Sequence, residues 1–217
     1  MNKSLSKKQT IGNIVINIFL FISTIIIVVR NVVYGAGAGQ LGSDMYGAGY
    51  FKAFTTLSNI LLALCALTML VAVFKGEIPL WISKFYLIGT AAVGLTFIVV
   101  LIFLAPLQLF LGKSFFLMYS GSMIFFHFIN PLLAMICTIL FIPKVRYLKK
   151  DILLCEIPTV IYSLVYLFCV EVFKVWEDFY FFTFGGKTWT IPFSMSAMYL
   201  LTFVVASSLI KLHNSRC

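Results

Sequence analysis

Residues 122–143 read SMIFFHFINPLLAMICTILFIP. The run is long enough to cross a bilayer as a helix, which takes about 20 predominantly apolar residues. It contains one ionisable side chain, His127, followed by Pro131. An imidazole in hydrocarbon is expensive, so a chain that places one there faces it toward protein or a wet cavity. The segment therefore reads as a membrane helix with one functional or packing face.

The rest of the chain agrees with that reading. Of its 217 residues, 62% are hydrophobic and only 11% charged, whereas a soluble domain carries about 25% charged residues. Six apolar runs fall at residues 11–33, 50–74, 85–105, 119–142, 152–173 and 190–210. They predict an all-α integral membrane protein, with residues 1–217 forming a single six-helix transmembrane domain and no soluble domain. The first run is too long for the core of a signal peptide, which spans about 7–15 residues, and reads as a retained helix.

Charge sets the expected orientation. Eleven of the sixteen basic residues lie in the N-terminal tail, the second and fourth loops and the C-terminal tail. Arg30, Lys52, Lys113, Lys174 and Lys187 lie on the other side. Basic residues favour the cytoplasmic face, so both termini should be cytoplasmic, in the cell membrane. The net charge of +9 then reflects topology and lipid headgroups, and implies no nucleic-acid partner.

Cys65, Cys137, Cys155, Cys169 and Cys217 avoid the outer loops and form no CxxC pair, which argues against a disulfide framework or a zinc site. Only two histidines are present. With His213 placed in the cytoplasmic tail, a paired-histidine haem site is a poor fit, so neither metal nor cofactor is called for. Gly37, Gly39 and Gly42 match GxGxxG, but a dinucleotide site needs them between a strand and a helix. A loop between membrane helices lacks that context. The last outer loop, VWEDFYFFTFGGKTWTIP (residues 175–192), reads either as an interfacial aromatic belt or as a short hairpin lid around Gly185-Gly186.

Inside the membrane, Thr55, Ser58 and Asn59 are spaced to share one helix face. In the fourth run Ser120, Met123, His127, Asn130 and Ala134 form a matching stripe. At about 1.5 Å rise per residue, Thr55 lies about 7 Å and His127 about 12 Å from the outer ends of their runs. Pro131 has no N–H, so a kink and a free His127 carbonyl are expected. Asn13, Asn17, Thr24 and Asn31 read as packing contacts of the first helix, and Glu156 as the partner of a lysine in the fourth loop. For His127 itself, an interhelical hydrogen bond is the plain alternative to catalysis.

The pieces FTTLSN (residues 54–59) and HFINP (residues 127–131) resemble two landmarks of the androgen-induced and androgen-dependent membrane hydrolases, and similar small bacterial six-helix proteins. The resemblance implies an intramembrane hydrolase of fatty-acyl lipid esters, or an acyltransferase, with its threonine on Thr55 and its histidine on His127. The chemistry suits the residues. A threonine hydroxyl needs an adjacent base to become a nucleophile, and a neutral imidazole can supply it. Ser58, Asn59 and Asn130 are candidate oxyanion donors, and Asp178 a candidate orienter of His127. Membrane lipids and an acyl-ester substrate would be the partners. The competing reading is a small six-helix substrate-binding subunit of a membrane transporter, although the first helix is bulky where such a subunit docks its partner through small residues.

Overall fold

The computed structural model describes residues 5–35 and 47–216; the GxGxxG glycines lie outside them. The described chain is helical, with no strand. Five helices are long and apolar enough to cross a membrane: α1 (Lys7–Tyr34), α2 (Phe54–Phe74), α3 (Leu80–Phe110), α5 (Asp151–Val172) and α6 (Thr188–Asn214). Between them α4 (Phe125–Phe141) is apolar but shorter, at 17 residues. Its rise of about 26 Å falls just under the hydrocarbon thickness of about 30 Å.

The ends of these helices follow local chemistry. Ser6 caps α1 in a capping box with Gln9, satisfying two orphan N–H groups. The second run opens later than its hydrophobicity suggests: residues 47–52 form a 3₁₀ turn, and Ala53 is extended before α2 begins. The start of α4 is likewise delayed. Residues 115–119 form a 3₁₀ turn, and Gly121 turns the chain at φ +57°, a conformation glycine adopts at no steric cost.

Helix α3 is the central element. It packs against α2, α4, α5 and α6, and 61% of its most apolar window is buried, against 28% for α1. Small residues set these approaches, as expected where lipid supplies no hydrophobic drive between helices. A Cβ on Gly89 would meet Cys65 Sγ at 2.8 Å, and one on Gly94 would meet Val205 at 2.7 Å. The glycines thus let α2 and α6 close on α3. Leu20, Leu62, Met69, Tyr86, Val93 and Cys137 fill the core shared by α1 to α4.

Two polar expectations are corrected. The ion pair seen among the described residues is Lys84–Asp151, at 2.8 Å; Glu156 has no such partner, and its Oε2 accepts no hydrogen bond. Asp151 wins because it opens α5 beside the start of α3, where it also accepts the Leu148 N–H. His213, placed in a tail by the sequence, is 0% exposed within α6. The helix continues past the apolar run and carries the ring between the end of α4 and the following loop. Cys65, Cys137, Cys155 and Cys169 are free thiols; Cys217 lies outside the described residues.

Candidate active site

Thr55 sits in the first turn of α2. A helix start concentrates unpaired N–H groups and the positive end of the dipole. Here one phenol from elsewhere caps the start and a second ties down the backbone just before it. The Phe54 N–H donates to the Tyr180 hydroxyl at 2.9 Å, and the Tyr162 hydroxyl donates to the Lys52 carbonyl at 2.7 Å. Tyr180 also lies beside the Thr55 side chain. Thr55 itself is 8% exposed and lines a narrow, mostly apolar pocket of about 50 Å³. Thr96, Val100 and Leu104 of α3, Tyr162 and Ser163 of α5, and Tyr180 and Phe182 of the last loop complete its wall.

That loop is not a hairpin. It forms turns without strands, with Gly185 and Gly186 at φ +85° and +94°. Asp178 organises it. One carboxylate oxygen accepts from the Tyr166 hydroxyl (2.8 Å) and the Phe182 N–H (2.9 Å). The other accepts from the Thr183 N–H (2.7 Å) and hydroxyl (2.6 Å). A carboxylate with four donors is committed to the loop, so it is unavailable to orient His127. The hairpin expectation fails because these side-chain bonds hold the turn that a strand ladder would otherwise have to hold. Phe179 and Phe182 pack on Tyr166, while Trp189 stays 76% exposed. One side of the loop caps the pocket and the other meets the surroundings.

His127 is 4% exposed. Its Nδ1 bonds the Met118 carbonyl, brought within reach because the Phe115–Tyr119 turn doubles back over the start of α4. A carbonyl only accepts, so Nδ1 carries the proton. In the neutral ring Nε2 is then the lone-pair nitrogen, and it has no hydrogen-bond partner among the described residues. Met118 packs with Val100 and Leu104, two residues of the pocket wall. The imidazole and the pocket thus share a partition, although His127 does not line the pocket. No hydrogen bond joins Thr55 to His127.

Asn59 ties the two elements together. Its amide donates to the Thr55 carbonyl (2.8 Å) and to the Phe126 carbonyl (3.4 Å). The second bond explains the effect of Pro131. Residues 125–129 adopt the wider π register, with the Asn130 N–H on the Phe125 carbonyl. In that register the acceptor orphaned by the missing proline N–H is the Phe126 carbonyl, one residue before the one expected from α-helical spacing. Asn59 supplies the replacement donor. Asn130 donates in turn to Asn59 Oδ1 (3.1 Å) and Thr24 (3.3 Å), and accepts from Ser23 (3.2 Å).

The sequence-level candidates therefore divide. Ser58 bonds the Thr55 carbonyl and Thr96, and the two asparagines spend their donors on holding α1, α2 and α4 together. Tyr180 and the Met118 carbonyl had no sequence signal beyond an aromatic-rich loop and a main-chain atom that any residue owns. No family model matches the chain, and no curated protein or solved structure matches it.

Proposed function

We propose that the protein is an intramembrane lipid ester hydrolase, or an acyltransferase when the acceptor is an alcohol, with Thr55 as nucleophile and His127 as general base. In this reading the six apolar helices all span the cell membrane with both termini cytoplasmic, and the site opens in the outer half of the bilayer. The short motifs FTTLSN and HFINP, resembling the androgen-induced hydrolases, support it. The observation that carries it is the position of Thr55: a hydroxyl on the first turn of a helix, facing an apolar pocket under an aromatic cap.

The chemistry runs in two halves. Thr55 Oγ1 attacks the ester carbonyl carbon while His127 Nε2 accepts the hydroxyl proton. The Tyr180 hydroxyl and the N-terminal turn of α2 stabilise the oxyanion. The tetrahedral intermediate collapses with the C–O bond to the alcohol breaking, and the imidazolium returns its proton to that alcohol. A water, or an acceptor alcohol, then attacks the acyl-threonine carbonyl with His127 again taking the proton. The C–O bond to Thr55 breaks, releasing the acid or the new ester, and the imidazolium returns its proton to Thr55 Oγ1. The Met118 carbonyl holds the tautomer throughout. The hydroxyl and imidazole come within reach of each other as the ester enters, since catalytic hydrogen bonds often close only with substrate bound.

A fluorophosphonate carrying a fatty chain tests this directly on the purified protein. Labelling of wild type that is lost in Thr55→Ala and sharply slowed in His127→Ala is the expected result. Equal labelling of all three proteins, or ester turnover untouched by both substitutions, would remove the dyad. Co-purification with an ATPase, without such labelling, would favour the transporter-subunit reading.

A further inference from the structure

A second site lies on the other side of the molecule, between α1 and the start of α4. Val15, Ile18, Phe19, Ile22 and Ile26 of α1 and Phe125 of α4 line an open groove of about 680 Å³. Most of these side chains are strongly exposed, Val15 and Ile26 at about 60%. The groove follows α1 from Val15 to its end at Arg30, a length of about 22 Å. That is longer than one leaflet of hydrocarbon, about 15 Å, so the trough can take one acyl chain from headgroup depth to the midplane.

Arg30 makes the groove more than a lipid-facing seam. Its Nη1 donates to Asn31 Oδ1 (2.8 Å) and Ser122 Oγ (3.2 Å). Ser122 donates to the same Asn31 oxygen (2.9 Å), and Asn31 donates to the Tyr50 hydroxyl (2.9 Å). These bonds fix the guanidinium at the groove mouth while using only one of its three nitrogens. The N–H groups on Nη2 and Nε, three of the five donors, are left over. Arg30 is exposed and forms no ion pair with a carboxylate among the described residues. A prepositioned guanidinium with an unused fork suits bidentate binding of a phosphate.

We propose that this groove is a binding site for an anionic phospholipid, with the phosphate on Arg30 and one acyl chain along α1. A zwitterionic lipid offers the same phosphate but carries an ammonium that opposes the arginine, so net charge should discriminate. The site shares no residue with the Thr55 pocket and stands or falls independently of the hydrolase reading.

Native mass spectrometry of delipidated protein in detergent tests it, with phosphatidylglycerol and phosphatidylcholine of identical chains as probes. Wild type should hold phosphatidylglycerol about tenfold more tightly, the scale of one good charge-assisted pair. Arg30→Gln should reduce that lipid to the phosphatidylcholine level, and Arg30→Lys should fall between. Ile22→Trp, which fills the trough without touching Arg30, should weaken both lipids. Equal retention of the two lipids by wild type would overturn the proposal. So would an undiminished preference in Arg30→Gln, or displacement of the lipid by inorganic phosphate as readily as by phosphatidylglycerol, which would mean that the chain contributes nothing.

Discussion

The two histidines meet opposite ends of α4, His127 from within its first turns and His213 from α6 against the Thr138 carbonyl, and show how hydrogen-bond saturation separates a fastener from a candidate base. Both are buried, at 4% and 0% exposure, and both touch a backbone carbonyl through Nδ1. At His213 the second nitrogen is also occupied: Nδ1 meets the Thr138 carbonyl at 2.8 Å and Nε2 the Val145 carbonyl at 3.0 Å. Next to it Asn214 clamps Tyr147 through both its N–H (3.0 Å) and its carbonyl (2.9 Å). That ring sews the end of α6 to the end of α4. At His127 only one nitrogen is held, and the other is left for a proton that is not already in the fold. Burial is common to both, so burial does not distinguish them. The unspent nitrogen does.

The sharpest way to break this comparison is to remove each ring. His127→Ala should lower ester turnover by on the order of 10² to 10⁴, the usual contribution of a general base, and Thr55→Ala should lower it at least as far. His213→Ala should leave the turnover of the folded protein unchanged. It removes the ring contacts to the Thr138 and Val145 carbonyls, so it should cost about 1–3 kcal/mol of stability, read by thermal denaturation in detergent. If His213→Ala matched His127→Ala in turnover per folded molecule, the contrast between the two rings would collapse.

Much of this was legible in the chain. The apolar runs correspond to the five helices long enough to cross a membrane and to the shorter α4, as expected where unsatisfied backbone is costly in lipid. The Thr55-Ser58-Asn59 face and the His127-Asn130 stripe were visible as polar residues at helical spacing, and the structure does place Asn59 against Asn130 and Phe126. The rest depended on where helices start. Hydropathy does not see the 3₁₀ turn at residues 47–52, so it could not put Thr55 in the first turn of α2, where the dipole and the Tyr180 phenol act on it. Nor does it see the turn at Gly121 that folds Met118 back over His127. The sequence offers Asp178 as an orienter of His127, and only its four donors reveal that it shapes the cap instead.

Tyr180 offers a finer test on the Thr55 side of the comparison. Its hydroxyl accepts from the Phe54 N–H and lies against Thr55, so Tyr180→Phe removes a single oxygen while keeping the ring that packs on Tyr162 and Tyr166. We expect kcat to fall by about tenfold, the loss of one oxyanion contact of modest strength, with KM nearly unchanged because the apolar pocket is intact. A raised KM with kcat preserved would mean that Tyr180 positions the acyl chain and takes no part in charge stabilisation.

The smallest effect should come from Glu156. It lies on α5, half-buried, with no ion pair among the described residues and an Oε2 that accepts no hydrogen bond. A carboxylate in that position gains nothing from the fold, in contrast to Asp151 five residues earlier, which is buried against Lys84 at 2.8 Å. Glu156→Gln should therefore change stability by no more than about 0.5 kcal/mol, whereas Asp151→Asn leaves Lys84 without its counter-charge and should cost several times more. Thermal denaturation of the two variants side by side decides the point. A large loss in Glu156→Gln would mean that its carboxylate makes a contact with a lipid or partner that the isolated fold does not contain. The same logic that separates the two histidines then holds for the two acids: the group with its bonds already spent supports the fold, and the group with bonds to spare reports on what binds to it.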